Sequence, residues 1–282
     1  MKQNTDKKQA VLITGVSSGI GKAIALELIS AGFKVYGTVR KKEDGAYLSA
    51  HGGKAITLDI TTQTNISEAH TKISNDLAGQ SLFALINNAG IAVCVPWSIL
   101  KINDFRKQLE VNLIGVAAIT QTFLPMLIKA KGRIIMLSSV ASQLAFPTMG
   151  PYACSKFALE ALSDSLRREL FFTGVKVTNI QPGLVSTPIV EKSRNLLKER
   201  YKSKMEKNIF NQFMTISKKQ EQAAMAPEKI SRLVKKILLQ KNPPTHKLVA
   251  SNYLLFKFIH LFPPKLLDKI LAKKIHTTTE KL

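Results

Sequence analysis

A tyrosine and a lysine in the stretch SVASQLAFPTMGPYACSK have a spacing that permits acid–base chemistry. Tyr152 and Lys156 are at i and i+4, so both side chains lie on one face if the segment is helical. The ammonium charge would favour tyrosinate and make the phenol proton available nearer neutral pH. Ser139 follows the apolar run RIIMLS, and a strand ending there would place its hydroxyl beside the phenol. The same tyrosine–lysine spacing also arises by chance on amphipathic helices.

A glycine-rich turn near the start of the chain has the form of a phosphate-binding loop. The strand-like run AVLIT is followed by GVSSGIG and then by a helical pattern that ends at Gly32. Gly15 permits a tight turn, and Gly19 and Gly21 allow close approach of backbone and helix. The helix N-terminus would then present free N–H groups to a pyrophosphate. The alternative is a structural turn between a strand and a helix.

Strand-like and helical segments alternate along most of the chain. This alternation predicts an α/β fold, a doubly wound parallel sheet of the Rossmann type in a single domain. The predicted strands or strand–turn segments are 10–14, 34–40, 54–60, 81–90, 133–139, 174–183 and 246–251, and the predicted helices are 22–32, 66–77, 104–130, 151–172 and 227–239.

The predicted domain covers residues 1–250, and two segments stand out from it. Residues 184–225 are polar, basic and weakly helical, and because they follow a late strand we interpret them as a lid over the ligand crevice. Residues 251–282 are predicted to form a basic amphipathic helical extension. Its apolar bulk and lysines suit an anionic membrane surface. The alternative is a helical flap packed on the substrate pocket or on a dimer partner.

Residues that follow the second, third and fourth predicted strands are of types that could bind a dinucleotide. Arg40 closes the second strand, where an acidic residue would bind the 2′-hydroxyl of NAD and an arginine accommodates the 2′-phosphate of NADP. NADP(H) is therefore predicted over NAD(H), unless Arg40 is only surface charge. Asp59 could hydrogen-bond the adenine amino group or serve as a turn residue. The small pair Ala89 and Gly90 would let a cofactor cross the sheet edge, and an adjacent asparagine could tie strands together.

Taken in order, these motifs resemble the short-chain dehydrogenase/reductase family over about residues 10–189. The run from Gly132 to Leu170 is particularly similar to the branch of retinol dehydrogenases and 17β-hydroxysteroid dehydrogenases. The resemblance rests on TGxxxGIG at 14–21, NNAG at 87–90, Asn112 within VNLIG, Ser139, YxxxK at 152–156, and Pro182–Gly183.

The resemblance implies roles for individual residues. Tyr152 would be the general acid or base, and Lys156 would lower its pKa and hold the nicotinamide ribose. Ser139 would bind the substrate oxygen, and Asn112 would hold a water in a proton relay with Lys156. The residues predicted to bind the cofactor are Gly15, Ser17, Ser18, Gly19, Ile20, Gly21, Arg40, Asp59, Ile60, Asn88, Ala89, Gly90, Tyr152, Lys156, Pro182, Gly183, Val185 and Thr187.

The implied activity is hydride transfer between NADP(H) and a carbonyl or alcohol of a lipophilic substrate that is steroid-, retinoid- or long-chain-like. The tail lacks the glycine-rich ending of the family's tetrameric acyl-carrier-protein reductases, and Arg40 departs from the retinol branch's NAD-preferring members. By analogy, a homodimer through the long helices is expected. The alternative function is a dinucleotide-binding regulatory protein without turnover.

The composition narrows the choice of partners and compartment. The formal net charge is +22, with about two thirds of the excess after residue 190, which fits lysine-rich solvated faces, an anionic membrane surface or nucleic acid. No nucleic-acid-binding module is readable, so we expect no nucleic acid partner. Two scattered cysteines and five scattered histidines predict no disulfide framework and no metal site. The polar start MKQNTDKK predicts a cytoplasmic protein, and no run approaches the ~20 apolar residues of a membrane span.

Overall fold

The computed structural model describes residues 8–205 and 207–279, and in them seven parallel strands form one sheet. The strand order is β3-β2-β1-β4-β5-β6-β7, so the chain winds outward in both directions from the β1–β4 pair. This is the predicted doubly wound sheet. The strands are β1 Ala10–Ile13, β2 Lys34–Val39, β3 Lys54–Thr57, β4 Leu82–Asn87, β5 Arg133–Leu137, β6 Lys176–Pro182 and β7 His246–Val249.

Helices connect the strands and extend beyond the sheet. The segment 184–225, predicted to be weakly helical, contains two long helices, and a short helix after β2 is not anticipated from the sequence. The helices are α1 Gly19–Ser30, α2 Ala46–Ala50, α3 Gln63–Leu77, α4 Ile102–Leu109, α5 Gly115–Lys129, α6 Gly150–Glu169, α7 Pro188–Tyr201, α8 Lys207–Gln222, α9 Pro227–Leu239, α10 Tyr253–Phe258 and α11 Pro264–Thr279.

The sheet buries both of its faces, which explains why its strands are continuously apolar. Along β1, Leu12 points into the core beneath α3, α5 and α6, whereas Val11 and Ile13 point into the core beneath α1, α2 and α9. All three side chains are fully buried. Because all the strands are parallel, their carboxyl ends lie along one edge of this buried sheet.

A continuous helix of 28 residues joins α4 to α5 through a π-helical turn at Glu110–Ile114. Its most apolar 18-residue window has a mean hydropathy of 1.7, so by length and composition alone the helix could cross a membrane, and the expectation that no such run exists is wrong. Within the fold, however, Ile119, Phe123 and Leu127 are fully buried in the core against the sheet. A core helix of an α/β sheet needs the same apolar composition.

Phe123 and Ile128 lie on opposite sides of α5, and this provides a matched test of the packing. Phe123→Ala should lower the free energy of unfolding by about 3–5 kcal/mol, because Phe123 is fully buried. Ile128→Ala, at a position 38% exposed, should cost about 1 kcal/mol or less. Urea denaturation followed by the fluorescence of the single tryptophan measures both. Equal losses would contradict the assigned orientation of the helix.

Candidate active site

The phosphate-binding loop lies at the carboxyl edge of the sheet, between β1 and α1. Gly15 and Gly19 have positive φ angles of 71° and 57°, which favour glycine. A Cβ on Gly15 would lie 2.9 Å from the Cα of Ala89, and a Cβ on Gly21 would lie 2.3 Å from the oxygen of Gly15. The loop therefore requires glycine at these positions.

Side chains from neighbouring strands hold this loop in place. The Thr14 hydroxyl oxygen accepts hydrogen bonds from the N–H groups of Asn88 and Ala89, both at 2.9 Å. The Asn88 side-chain amide donates to the carbonyl oxygens of Thr14 and Gly15, both at 2.9 Å. The N–H of Gly15 donates to the Thr38 hydroxyl at 3.1 Å. Asn88, predicted to bind cofactor, thus uses its amide to brace the loop.

Thr14 and Thr38 are structural members of the site that sequence reasoning overlooks. Both are almost fully buried and lie at or beside strand ends. Since a buried hydroxyl needs a hydrogen-bond partner, a threonine at the end of an otherwise apolar strand is the signal that could have revealed them.

The groups around this loop fit an anionic dinucleotide. The first turn of α1 starts at Gly19, and its N-cap Ser18 makes no side-chain capping bond. Lys22 N is the first N–H group of the helix that bonds to the N-cap, and it donates to Ser18 O at 3.3 Å. The N–H groups of the residues before Lys22 have no such acceptor within the helix and face outward, where they could bind a phosphate. Ser17 is exposed on the loop, and Ile20 packs against the core.

Beyond β2 and β3, three predicted residues have different environments. Arg40 is exposed directly after β2, where its guanidinium is free to meet a phosphate. Burial raises the pKa of Asp59, but hydrogen bonds from Thr61 and the charge of Arg40 outweigh it and leave that pKa lowered. Ile60 is 6% exposed with its side chain in the core, so only its main chain is available to a ligand.

The segment after β6 leads into the helices α7 and α8 and passes beside the phosphate-binding loop. Gly183 N donates to Val249 O at 2.8 Å, and Pro182 is buried as the last residue of β6. Val185 pairs with Met225 in an isolated parallel bridge. The residues between them therefore leave the sheet and return to the same point. Thr187, the N-cap of α7, approaches the phosphate loop: a Cβ on Gly19 would lie 3.0 Å from Thr187 Cγ2.

Tyr152, Lys156 and Ser139 meet at this edge of the sheet. Tyr152 and Lys156 lie on one face of α6, and the Lys156 ammonium is 5.7 Å from the centre of the Tyr152 ring. Lys156 Nζ donates to the carbonyl oxygen of Leu137, the last residue of β5, at 2.8 Å. Ser139 follows that strand, and its hydroxyl is hydrogen-bonded to Tyr152. The three side chains predicted from the sequence are therefore together.

Burial is the largest cause of the pKa shifts of both Tyr152 and Lys156. It raises the pKa of Tyr152 to about 12, although the hydrogen bond with Ser139 opposes the change. It lowers the pKa of Lys156 to about 8, and the nearby Glu160 carboxylate opposes that change. The predicted lowering of the Tyr152 pKa by Lys156 is thus not what this structure gives, because desolvation of the phenolate is the larger effect. Tyr152 is a protonated phenol at neutral pH and Lys156 is mostly charged.

Asn112 lies in the π-helical turn and is 1% exposed. Its side-chain amide donates to Ile91 O at 2.9 Å and to Ser155 Oγ at 3.0 Å, and its oxygen accepts from Ile91 N at 2.9 Å. Both N–H groups of the Asn112 side chain are thus already hydrogen-bonded, so a water in the predicted proton relay would have to bind to the main chain of this turn. A Cβ on Gly90 would lie 3.3 Å from the Asn112 oxygen, so this asparagine also borders NNAG.

A third apolar cluster separates the site from the helices α7 and α8. Val93 and Val95 pack there against Leu197, Phe210 and Met214. Beside Tyr152, burial raises the pKa of the Cys94 thiol to about 11, while a hydrogen bond with Ser193 of α7 opposes this. The cluster and this thiol form the apolar side of the cleft.

Asp104 anchors the far end of α7. This carboxylate is 4% exposed and accepts hydrogen bonds from Arg200 and from the hydroxyl of Tyr201. The N–H of Lys101 donates to the same hydroxyl at 3.2 Å. Helix α7 is therefore held at its start by the sheet and at its end by α4.

The chain belongs to the short-chain dehydrogenase/reductase family. The family model described as short chain dehydrogenase matches residues 9–198, which span the phosphate loop, the three clustered side chains and the start of α7. Together with relatives named as dehydrogenases and reductases, this makes the protein an NAD(P)-dependent oxidoreductase acting on CH–OH groups or the corresponding carbonyls.

Two relatives illustrate the branch. The NADPH-dependent 3-dehydrocapnine reductase of Ornithobacterium rhinotracheale is 34% identical over 95% of this chain and 98% of its own length. Human retinol dehydrogenase 5 is 34% identical over 83% of this chain and 78% of its own length. The resemblance to the retinol dehydrogenase branch is thereby confirmed.

Solved structures show the same fold. A short-chain dehydrogenase from Streptomyces avermitilis superposes with a TM-score of 0.78 at 24% identity, over 95% of both chains. A short-chain dehydrogenase from Burkholderia cenocepacia in complex with NADP has a TM-score of 0.73 at 22% identity, over 94% of this chain and 98% of its own.

Proposed function

We propose that this protein uses NADPH to reduce a ketone or aldehyde of a lipophilic substrate to the alcohol. The observation that carries this proposal is the convergence of Ser139, Tyr152 and Lys156 beside a loop whose N–H groups suit a pyrophosphate. The alternative of a non-catalytic dinucleotide-binding protein is less favoured, because it does not require these three side chains to lie together.

The three side chains divide the work at the reacting oxygen. The bound dinucleotide would supply the hydride. Tyr152, protonated at neutral pH, would give its phenol proton to the carbonyl oxygen as negative charge develops there. The Ser139 hydroxyl would donate a hydrogen bond to the same oxygen. The charged Lys156, buried below the tyrosine ring, would stabilise the tyrosinate that remains.

The surroundings favour an apolar substrate with a long chain. Val93, Val95 and Leu197 form an apolar core between the NNAG loop and helix α7, and the partly buried Ile91 and Leu196 pack against it. We propose that the segment 184–225 is a lid, since its two ends join at one bridge and its helices cover this apolar cluster. The relative named for 3-dehydrocapnine suggests that compound as a first candidate, and its name denotes a ketone.

Tyr152→Phe tests the proton donor. With NADPH and a panel of 3-dehydrocapnine, long-chain ketones, retinal and ketosteroids, the variant should lose at least about 100-fold in kcat, because only the hydroxyl is removed. Tyr253→Phe removes an equivalent hydroxyl from the exposed tail and should leave kcat unchanged. Equal rates for wild type and Tyr152→Phe on every substrate turned over would contradict the mechanism. Binding of NADPH without turnover of any substrate would favour the regulatory alternative.

A preference for NADP(H) follows from the exposed position of Arg40. Arg40→Ala should weaken binding of NADP⁺ about 10- to 100-fold and binding of NAD⁺ by less than about twofold, since only NADP⁺ offers a 2′-phosphate. Arg168→Ala removes another exposed arginine, at the end of α6, and should change neither. Calorimetric titration with both nucleotides measures the effect, and equal losses for the two would refute the assignment.

We further propose that the protein works on the cytoplasmic face of an anionic membrane. The tail presents large apolar side chains to solvent, with Leu254 67% and Leu261 77% exposed. Lys257 lies among them, over the rings of Tyr253 and Phe258. Apolar groups interleaved with lysines suit insertion at the boundary of an anionic headgroup layer.

The inner side of the tail connects this surface to the active site. Phe256 of α10 packs against Phe146 at a ring distance of 6.3 Å. Phe146 lies on the loop between Ser139 and Tyr152. An apolar substrate dissolved in a bilayer would therefore reach the cleft from the side on which the tail lies.

The double variant Leu254→Asp/Leu261→Asp tests the membrane surface. Co-sedimentation with vesicles of phosphatidylglycerol and phosphatidylcholine should fall at least about tenfold, because two charges replace inserting side chains. Phe171→Asp/Phe172→Asp, at positions 70% and 96% exposed outside the tail, is the control and should bind as wild type. Undiminished binding by the tail variant would overturn this proposal. A tail variant that instead changes from dimer to monomer would assign the surface to the homodimer, which otherwise stays a prediction by analogy.

A further inference from the structure

One partly buried carboxylate near the site has no part in the chemistry described above. Glu160 lies on α6 one turn beyond Lys156. Its Oε1 accepts from Ser142 Oγ and Gln181 Nε2, both at 2.8 Å, and its Oε2 accepts from Asn179 Nδ2 at 2.6 Å. His246 Nε2 is 3.5 Å from the same Oε2. The carboxylate therefore joins α6 to β6, to β7 and to the turn after β5.

The contact with Ser142 leads directly to the reacting groups. Ser142 Oγ lies 2.6 Å from the carbonyl oxygen of Ser139 and 2.8 Å from Glu160, and its single hydrogen can be donated to either acceptor. The Ser139 hydroxyl, in turn, is hydrogen-bonded to Tyr152. Ser142 is only 4% exposed, so solvent does not readily replace these bonds. The Glu160 carboxylate thus adds to the bond between Lys156 and the Leu137 carbonyl in tying the serine turn to α6.

The charge of Glu160 also faces Lys156. Burial raises the pKa of Glu160, but hydrogen bonds from His246 and Gln181 outweigh it and keep the carboxylate ionised. Hydrogen bonding to Glu160 raises the pKa of His246, which Asp164 of α6 also faces. The remaining contacts of the carboxylate, made with serine, asparagine and glutamine, are neutral.

We propose that Glu160 is a positioning residue that holds the Ser139 turn against the helix carrying Tyr152 and places a negative charge one turn from the Lys156 ammonium. Its catalytic part rests on the function proposed above. Its electrostatic part concerns the folded protein alone, and can be measured without turnover.

Glu160→Gln tests both parts. The neutral amide keeps the size but brings N–H groups against the donors of Asn179 and Gln181. We expect kcat to fall about tenfold or more, and the alkaline limb of the kcat profile to move to lower pH by about 0.5–1 unit, because Lys156 loses the carboxylate that opposes its deprotonation. The variant also removes the hydrogen bond with Glu160 that raises the pKa of His246, so this imidazole should lose its proton at lower pH than in the wild type.

Two further variants separate position from charge. Ser142→Ala removes the link to Ser139 but keeps the carboxylate, so kcat should fall several-fold with no shift of the alkaline limb. Asp164→Asn removes a charge one turn away that has no contact with Ser142, and should leave both kcat and the limb unchanged. A wild-type pH profile in Glu160→Gln, or an equal shift in Asp164→Asn, would overturn the proposal.

Unfolding of the cofactor-free protein supplies the readout that needs no substrate. The pKa of Lys156 is about 8 when folded and ordinarily 10.5, so between these values the unfolded chain binds more protons at this group, and the contribution of Lys156 to the free energy of unfolding rises with pH. In Glu160→Gln this rise should begin at lower pH. A loss of stability that is the same at every pH from 7 to 9.5 would reduce Glu160 to a structural role, even if the enzyme turned over no substrate tried.

Discussion

The hydrogen bonds between the ends of β1 and β4 are the contact on which the rest of the site depends. There the strand order reverses, and a crevice opens between helices that lie on opposite faces of the sheet. Thr14 and Asn88 close the top of that crevice with four bonds of 2.9 Å. The phosphate loop, the NNAG turn and, through Asn112, the π-helical turn are all positioned relative to this pair.

From this fixed edge, each strand delivers one part of the chemistry. β5 ends beside Ser139 and offers the Leu137 carbonyl to Lys156, while β6 ends at Pro182 and leads into the segment 184–225. α6 returns across the same face with Tyr152 and Lys156 one turn apart. The cost of burying a lysine is offset because its ammonium has a carbonyl acceptor and a carboxylate one turn away. Fold and reactivity are thus linked by the same few buried polar groups.

Much of this arrangement can be predicted from the sequence because it depends on local patterns. Apolar runs with β-branched residues identify the strands, and the i, i+4 spacing of Tyr152 and Lys156 puts them on one helix face. The bounds of α9 and most strands agree with prediction within a few residues. The same local patterns predict only weak helical structure in the segment 184–225, where the structure has the helices α7 and α8. These helices are stabilised by packing against Val93 and Val95 more than by helix propensity.

Interactions between distant residues are what the sequence does not reveal. Glu160 is hydrogen-bonded to residues 18 and 21 positions away in the sequence, and Asp104 is hydrogen-bonded to Tyr201, 97 positions away. The direction in which the pKa of Tyr152 shifts also depends on burial, which the sequence spacing of Tyr152 and Lys156 does not reveal. Polar residues in apolar surroundings are the visible sign of such networks, but their partners emerge only in the fold.

A dinucleotide bound at this edge of the sheet would deliver a hydride to the carbonyl carbon of the substrate, while the protein would supply the proton. NADPH carrying two deuterium atoms at C4 of the nicotinamide tests it most directly, whichever face of the ring is used. With 3-dehydrocapnine or a long-chain ketone as acceptor, mass spectrometry of the alcohol should find one deuterium on the former carbonyl carbon. An alcohol product without deuterium would contradict the account.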